Sequence, residues 1–229
     1  MSEYLLINVS PRKQGTSVVL LEQCKASLAS SGHKATLLHL YPALQKPQEL
    51  VKSVGQADTI VICGPCYINT YPAETIALLD LLSANPDALH GQSMYGMIQG
   101  GMPYVHTHES GLKMLDMFCR KRGLSYKGGF VMGFGAFLNG RPVAKLPHAR
   151  KVQKHLNLFF SHIEKNENSK ADVYEDAQLR LPGFLAGIMA GVMNRQMKKD
   201  LKKHGIDINE KSPYLSVADA KRIDAQEGS

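Results

Sequence analysis

Polar residues that could bind an anion follow the first apolar segment of the chain. Residues 4–9 form a short apolar run with β-branched members, which predicts a buried strand, and Pro11 ends this pattern. A helical pattern begins after Gly15, with Thr16 or Ser17 as the expected N-cap. The free amide groups and the positive dipole end of such a helix attract a phosphate group. The side-chain donors expected around it are Ser10, Arg12, Thr16 and Ser17.

Glycine, proline and hydroxyl residues mark two further loops. Residues 64–72 follow the continuous apolar run 57–63, and residues 99–106 follow the apolar run 93–98. The loop at 10–17 contains neither the dinucleotide-binding G-x-G-x-x-G sequence nor a Walker sequence closed by Gly-Lys-Ser/Thr. An ordinary polar turn is therefore the alternative interpretation of that loop.

Two cysteines have the spacing of a redox-active dithiol. Cys63 and Cys66 form a C-x-x-C sequence of the thioredoxin type. Such a pair needs a helix start directly behind the first thiol to lower its pKa. Here residues 67–72 separate the pair from the next helical pattern, and Cys63 lies within an apolar strand. A dithiol redox protein is the less favoured interpretation.

Two closely spaced histidines raise the question of a metal site. His106 and His108 could be two ligands, but no third ligand stands at a suitable spacing. We expect both to be surface histidines, and we predict no metal site. The sequence contains no Ser-His-Asp order and no carboxylate pair that would indicate acid–base catalysis.

The elements that position these loops alternate between strand and helix patterns. Helical patterns follow the predicted strands, and the fifth helix shows apolar spacing from Val152 to Ile163. The predicted strands are residues 4–9, 34–40, 57–63, 93–98 and 126–133. This alternation implies right-handed crossovers and a parallel sheet that is covered on both faces.

Composition limits the class of protein. The chain has 229 residues, which suit one domain of full size with an appendage. Its net charge of +7 is compatible with anionic substrates, and the basic run at 141–155 is interpreted as a solvated helix face rather than a nucleic-acid site. No apolar run is long enough to span a membrane, and no signal peptide is evident. We therefore expect a cytoplasmic protein that does not bind nucleic acid and does not span a membrane.

The three loops resemble those of a known family. The sequence from Ser10 to Leu21 (SPRKQGTSVVLL) is similar to the phosphate loop of the flavodoxin-like NADPH-dependent FMN reductases. Pro65-Cys66-Tyr67 resembles the second motif of that family, in which valine is common at the position of Cys66. Gln99-Gly100-Gly101 resembles its third, flavin-binding loop. The segment 106–133 is similar to the branch related to iron–sulfur flavoproteins, but the chain lacks the cluster cysteines.

The resemblance implies both a fold and an activity. The fold would be a flavodoxin-like three-layer sandwich with strand order 2-1-3-4-5, in which the three loops converge beside strand 1. The activity would be that of an FMN-dependent oxidoreductase, which passes electrons from NADH or NADPH to a small acceptor such as a flavin or a quinone. No acid–base side chain is then required. The cofactor-binding residues implied are Ser10, Arg12, Gly15, Thr16, Ser17, Pro65, Cys66, Tyr67, Ile68, Asn69, Gln99, Gly100 and Gly101. The rival hypothesis is a flavin-binding sensor without turnover.

The tail is predicted to be a helical extension. We expect an FMN-binding domain over residues 1–168 and an extension over 169–229, joined by a polar linker within 166–178. From Pro182 to Gly205 apolar residues recur every four positions, and small residues share that spacing. This pattern predicts an arm that joins a homodimer or homotetramer. A sixth helix packed on its own subunit and an interfacial membrane helix are the alternatives.

Overall fold

A single parallel sheet organises the first part of the chain. The computed structural model describes residues 2–146, 148–179 and 183–205. The strands are β1 (Glu3–Asn8), β2 (Lys34–His39), β3 (Thr59–Pro65), β4 (Ser93–Gln99) and β5 (Ser125–Met132). All neighbours pair in parallel, in the order β2-β1-β3-β4-β5. The predicted fold class and strand order are confirmed.

Helices connect the strands and lie around the sheet. They are α1 (Thr16–Ser30), α2 (Leu40–Ala43), α3 (Pro47–Gly55), α4 (Ala73–Ala84), α5 (Glu109–Arg122), α6 (Ala149–Glu164) and α7 (Asp172–Glu175). Every residue of β3 and β4 is buried, as expected for central strands covered on both faces. The apolar residues Val152, Leu156 and Ile163 face the core from α6, as their spacing predicted.

The segment predicted to be a linker is instead part of the core. Val173 and Tyr174 of α7 are buried, and the Ser169 amide donates to the Lys127 carbonyl at 2.6 Å. Gln178 is buried as well; its Oε1 accepts from the Gly133 amide at 2.9 Å, and its Nε2 donates to the Val131 carbonyl at 2.8 Å. The linker prediction is therefore wrong. The acidic residues of this segment indicated a linker, but its apolar and amide side chains pack beside β5.

The chain divides into two compact units. The first runs to Leu179, beyond the boundary expected at 168, and the second comprises residues 180–229. Within the second unit α8 (Gly183–Lys203) is described, together with Gly205 in the left-handed region (φ 71°) just after the helix. Residues 206–229, Pro182 and several α8 side chains that carry the predicted apolar spacing lie outside the described residues. None of the helices in the described ranges is long and apolar enough to cross a membrane.

Candidate functional site

Four loops meet at the carboxyl ends of the strands. The predicted loops follow β1, β3 and β4, and hydrogen bonds join them directly. The Cys66 amide donates to the Gln99 carbonyl at 2.6 Å, which links the second loop to the third. A fourth loop, residues 133–141 after β5, joins them because the Ala136 amide donates to the Gly100 carbonyl at 3.2 Å. The resulting crevice lies where open parallel sheets bind ligands.

The first loop presents backbone donors at the start of α1. The helix begins at Thr16, and Gly15 occupies the N-cap without a side-chain hydrogen bond to the helix. The expectation that Thr16 or Ser17 is the cap is wrong, because both lie in the first turn. Helix geometry leaves the first amide groups without an intrahelical partner, and the first turn carries no acidic residue. An anion at this position would therefore be stabilised by free amides and by the helix dipole.

The side chains of the first loop differ in their availability. Ser10 Oγ accepts from the Arg12 amide at 3.2 Å, and the exposed Arg12 guanidinium donates to Asn139 Oδ1 at 3.2 Å. The Thr16 hydroxyl donates to the Gly135 carbonyl at 2.8 Å. Ser17 Oγ is fully buried and makes no hydrogen bond to the described residues. We expect Ser17 to contribute its backbone amide, rather than its hydroxyl, to anion binding.

The second loop carries a tight turn at its tip. Tyr67 and Thr70 exchange backbone hydrogen bonds of 2.7 and 3.3 Å across the turn. The two central residues, Ile68 and Asn69, have φ values of 49° and 70°, which is the type I′ pattern. Tyr71 anchors the far end of the loop, because its buried hydroxyl donates to the Met97 carbonyl at 3.0 Å. This hydrogen bond fastens the end of the loop to β4.

The third loop rests on a buried histidine. A Cβ atom on Gly100 would overlap His108 Nε2 and would lie 3.2 Å from the Cys66 Cβ. His108 is buried, so the expectation of a surface histidine is wrong for it, whereas His106 is exposed and stacks on the Tyr104 ring. His108 Nδ1 lies 2.9 Å from the Tyr104 carbonyl, which only accepts, so Nδ1 carries the proton.

Burial favours the neutral form of this histidine. It lowers the pKa of His108, while the hydrogen bond to the Tyr104 carbonyl acts in the opposite direction and His106 reinforces the lowering. A neutral ring with its proton on Nδ1 leaves Nε2 unprotonated against Gly100. His108 therefore supports the glycine loop from below as a neutral side chain.

Sequence reasoning missed the fourth loop. Asn139 orients Arg12, and Gly140 lies against Gly15, with 3.6 Å between the Gly15 Cα and a Cβ built on Gly140. Phe134 and Asn139 both have positive φ values, of 59° and 47°. The signal that could have revealed it was a group of three glycines, one at the end of the last predicted strand (Gly133) and two just after it (Gly135 and Gly140).

The comparison with protein families decides the identity. The family described as NADPH-dependent FMN reductase matches residues 3–120, which is more than half of the chain. The chain belongs to the NADPH-dependent FMN reductase family. FMN is thus its cofactor, and NAD(P)H is the electron donor. No curated protein sequence matches the chain significantly.

Solved structures of flavin reductases share the fold. The apo form of an NADH:FMN oxidoreductase is 22% identical, with a TM-score of 0.60, and the match covers 76% of this chain and 94% of that one. An FMN-dependent NADH-azoreductase from Bacillus anthracis, in complex with FMN, is 15% identical with a TM-score of 0.55, over 72% and 100% of the two chains. An NAD(P)H:quinone oxidoreductase from Methanothermobacter marburgensis is 14% identical with a TM-score of 0.54, over 73% and 96%. At these identities the likeness shows the fold alone.

The crevice residues of this reductase fit FMN. Gln99 is buried at the end of β4, and its Oε1 has no hydrogen-bond partner among the described residues. This oxygen lies close to Gly135, 2.8 Å from the position of a Cβ built on that glycine. A buried amide oxygen without a donor is costly, and a ligand N–H group would satisfy it. Together with the free amides at the start of α1, these donors and acceptors suit a flat ring with a polar edge and a phosphate.

The thiols of this family member are poorly suited to dithiol chemistry. Cys63 is completely buried in β3, and burial raises its pKa. Cys66 is partly buried, and burial also raises its pKa, against a smaller lowering by the Asn69 backbone. The Cys66 thiol donates to the Thr107 carbonyl at 3.2 Å. Reactive cysteines need the opposite shift, because the thiolate is the nucleophile.

Proposed function

We propose that this chain is an oxidoreductase that transfers electrons from NADH or NADPH, through FMN in the crevice, to a small acceptor such as a flavin or a quinone. The observation that supports it is the convergence of four loops around free helix amides, a glycine-lined wall and an unpaired amide oxygen. FMN when bound supplies the hydride chemistry, since it accepts a hydride from the nicotinamide and passes on two electrons. The electron acceptors named for the structural neighbours include azo compounds and quinones, which is consistent with a small conjugated acceptor here.

The chain would bind the cofactor through two sets of groups. At the phosphate end we assign Ser10, Arg12, Gly15, Thr16 and Ser17, with Ser17 acting through its amide. Along the ring we assign two segments, residues 65–69 and 99–101, which the 2.6 Å hydrogen bond between Cys66 and Gln99 holds together. Gly100 offers its backbone where no larger residue fits. Their role is to bind and orient the cofactor, and the buried floor beneath them excludes water.

Anaerobic reduction tests this proposal. The purified protein, loaded with FMN, is mixed with NADH or NADPH in the absence of oxygen, and its yellow colour is followed. Bleaching, followed by recovery of the colour when a quinone is added, is the expected result. A colour that neither nicotinamide changes would instead support a flavin-binding sensor.

Replacing Cys66 by valine is expected to preserve most of the NADPH-dependent rate. The Cys66 thiol is protonated and bound to a carbonyl, so it offers no nucleophile to the reaction. The measurement is the turnover rate per bound FMN in the wild type and in Cys66→Val. A fall of several orders of magnitude with FMN still bound would favour a dithiol mechanism through Cys63 and Cys66.

Removal of the second unit is expected to produce a smaller assembly. We propose that α8 joins subunits, because its exposed Val192, Met193 and Met197 present apolar surface. The cut belongs after Leu179, since residues 171–179 pack in the first unit. Sedimentation should show a folded protein of lower association state than the full chain. An unchanged association state after truncation would refute the proposal that α8 joins subunits.

A further inference from the structure

Large apolar side chains are exposed on three of the four crevice loops. Ile68 is 97% exposed at the tip of the second loop, and the others are each about half exposed. We call them the apolar rim: Tyr67, Ile68, Met102, Tyr104 and Phe137. Elsewhere in the described part of the first unit, only Ile76, Met117 and Leu158 among the large apolar residues are exposed. The clustering of exposed apolar side chains around a ligand crevice indicates a binding surface.

The conformation of Ile68 supports this interpretation. A β-branched residue with a φ of 49° is sterically disfavoured, and type I′ turns prefer asparagine or glycine there. The side chain is also almost entirely outside the protein, so burial does not compensate for the strain. Ile68 therefore contributes nothing to folding that asparagine would not supply better. Its apolar surface is available to a bound molecule.

The charges around the crevice are distributed unevenly. Residues 64–72 and 99–105 contain no Asp, Glu, Lys or Arg. The cations of the crevice loops are Arg12, Lys13 and Arg141, on the first and fourth loops. Arg141 is occupied, because its guanidinium donates to the Leu138 and Phe137 carbonyls. The rim thus offers aromatic and aliphatic contact without an ionic partner for a phosphorylated or charged acceptor.

We propose that the apolar rim binds the electron acceptor and selects uncharged acceptors with a flat, conjugated ring that carries an apolar substituent, with Ile68 as a specificity-determining residue. This inference rests on the proposed function, because the acceptor must approach the ring-binding loops to receive electrons. For a quinone the balance is complete. The nicotinamide gives up one hydride, solvent gives one proton, and the two quinone oxygens gain two protons and two electrons to form a hydroquinone.

A pair of matched acceptors tests the rim. The FMN-loaded full-length protein is supplied with saturating NADPH, and kcat/KM is measured for a benzoquinone and for the same ring carrying a decyl chain. Free FMN serves as a third, phosphorylated acceptor. We expect the decyl quinone to be preferred over the plain ring by at least about tenfold, because its chain buries apolar surface on the rim. We expect both quinones to be preferred over free FMN.

Three variants separate the effect of the rim side chains on acceptor choice from other effects on the enzyme. Ile68→Asn suits the turn, so it should fold at least as well as the wild type, and it should reduce the preference for the decyl quinone by about fivefold. Met102→Gln should reduce the same ratio. A ratio of two acceptors on one variant cancels any common change in FMN content or in the reaction with NADPH. Leu158→Asn removes an equally apolar, exposed side chain from α6 and should leave the ratio unchanged.

The outcomes separate this inference from the proposed function. Equal kcat/KM values for the two quinones in the wild type would overturn the proposal that the rim selects the acceptor. The same holds if Leu158→Asn changes the ratio of the two kcat/KM values as much as Ile68→Asn does. If NADPH bleaches FMN but none of the three acceptors is reduced, the proposed acceptor binding at the rim is also overturned. The reduction of FMN by NADPH would still be supported. Failure of NADPH to bleach FMN would overturn the proposed function itself.

Discussion

Replacing Arg12 by alanine is expected to weaken FMN binding by about tenfold to a hundredfold. The Arg12 Cβ lies 3.7 Å from a Cβ built on Gly15, the N-cap of α1, and the guanidinium is oriented by its hydrogen bond to Asn139 Oδ1. A charge-assisted hydrogen bond contributes about 1.5–3 kcal/mol, which corresponds to that range of affinity. The measurement is a fluorescence titration of the apo protein with FMN, at a fixed and stated salt concentration because exposed charges are screened.

Two controls make the Arg12 result specific. Riboflavin lacks the phosphate, so it should bind the wild type and Arg12→Ala with nearly equal affinity. Lys13→Ala removes the same charge from the neighbouring, exposed residue and should weaken FMN binding much less. Equal FMN affinities in Arg12→Ala and in the wild type would show that the phosphate binds elsewhere.

The core elements of the fold could be predicted from the sequence because burial leaves a pattern. β3 is a continuous apolar run because both of its faces are covered, and it stands in the structure close to where the sequence placed it. The apolar residues of α6, such as Val152 and Phe159, recur at helical spacing for the same reason. Strand order then follows from the alternation of elements together with the family resemblance, and the observed order agrees with it.

The parts of the crevice that could not be predicted depend on contacts between distant residues. Asn139 approaches Arg12 across 127 positions of the sequence, and no local pattern encodes that pairing. His108 is buried against Gly100, although the lack of a third metal ligand at a suitable spacing had favoured a surface position. Gly15 becomes the cap of α1 because Thr16 donates its hydroxyl to the Gly135 carbonyl instead. In each case tertiary contacts override local preference.

Gly100→Ala is expected to destabilise the apo protein by about 1–3 kcal/mol and to weaken FMN binding at the same time. The new methyl group would overlap the His108 ring and press on Cys66. His108 has no room to yield, because it is buried and its Nδ1 is bound to the Tyr104 carbonyl. The loop must therefore move, and Gly100 would lose its hydrogen bonds to Met132 and Ala136. Urea unfolding gives the change in stability, and a titration with FMN gives the change in affinity.

The adjacent glycine provides a matched control for this prediction. A Cβ on Gly101 would meet only Ala136, at 3.9 Å, which is an ordinary contact, so Gly101→Ala should leave the stability of the apo protein nearly unchanged. Because the clash involves His108, the second substitution His108→Ala should relieve part of the cost of Gly100→Ala in a double-mutant cycle. Additive effects of the two substitutions would show that the imidazole does not support the loop. Equal stabilities of Gly100→Ala and Gly101→Ala would show that the loop accommodates a methyl group beside His108, contrary to the expectation that no larger residue fits at Gly100.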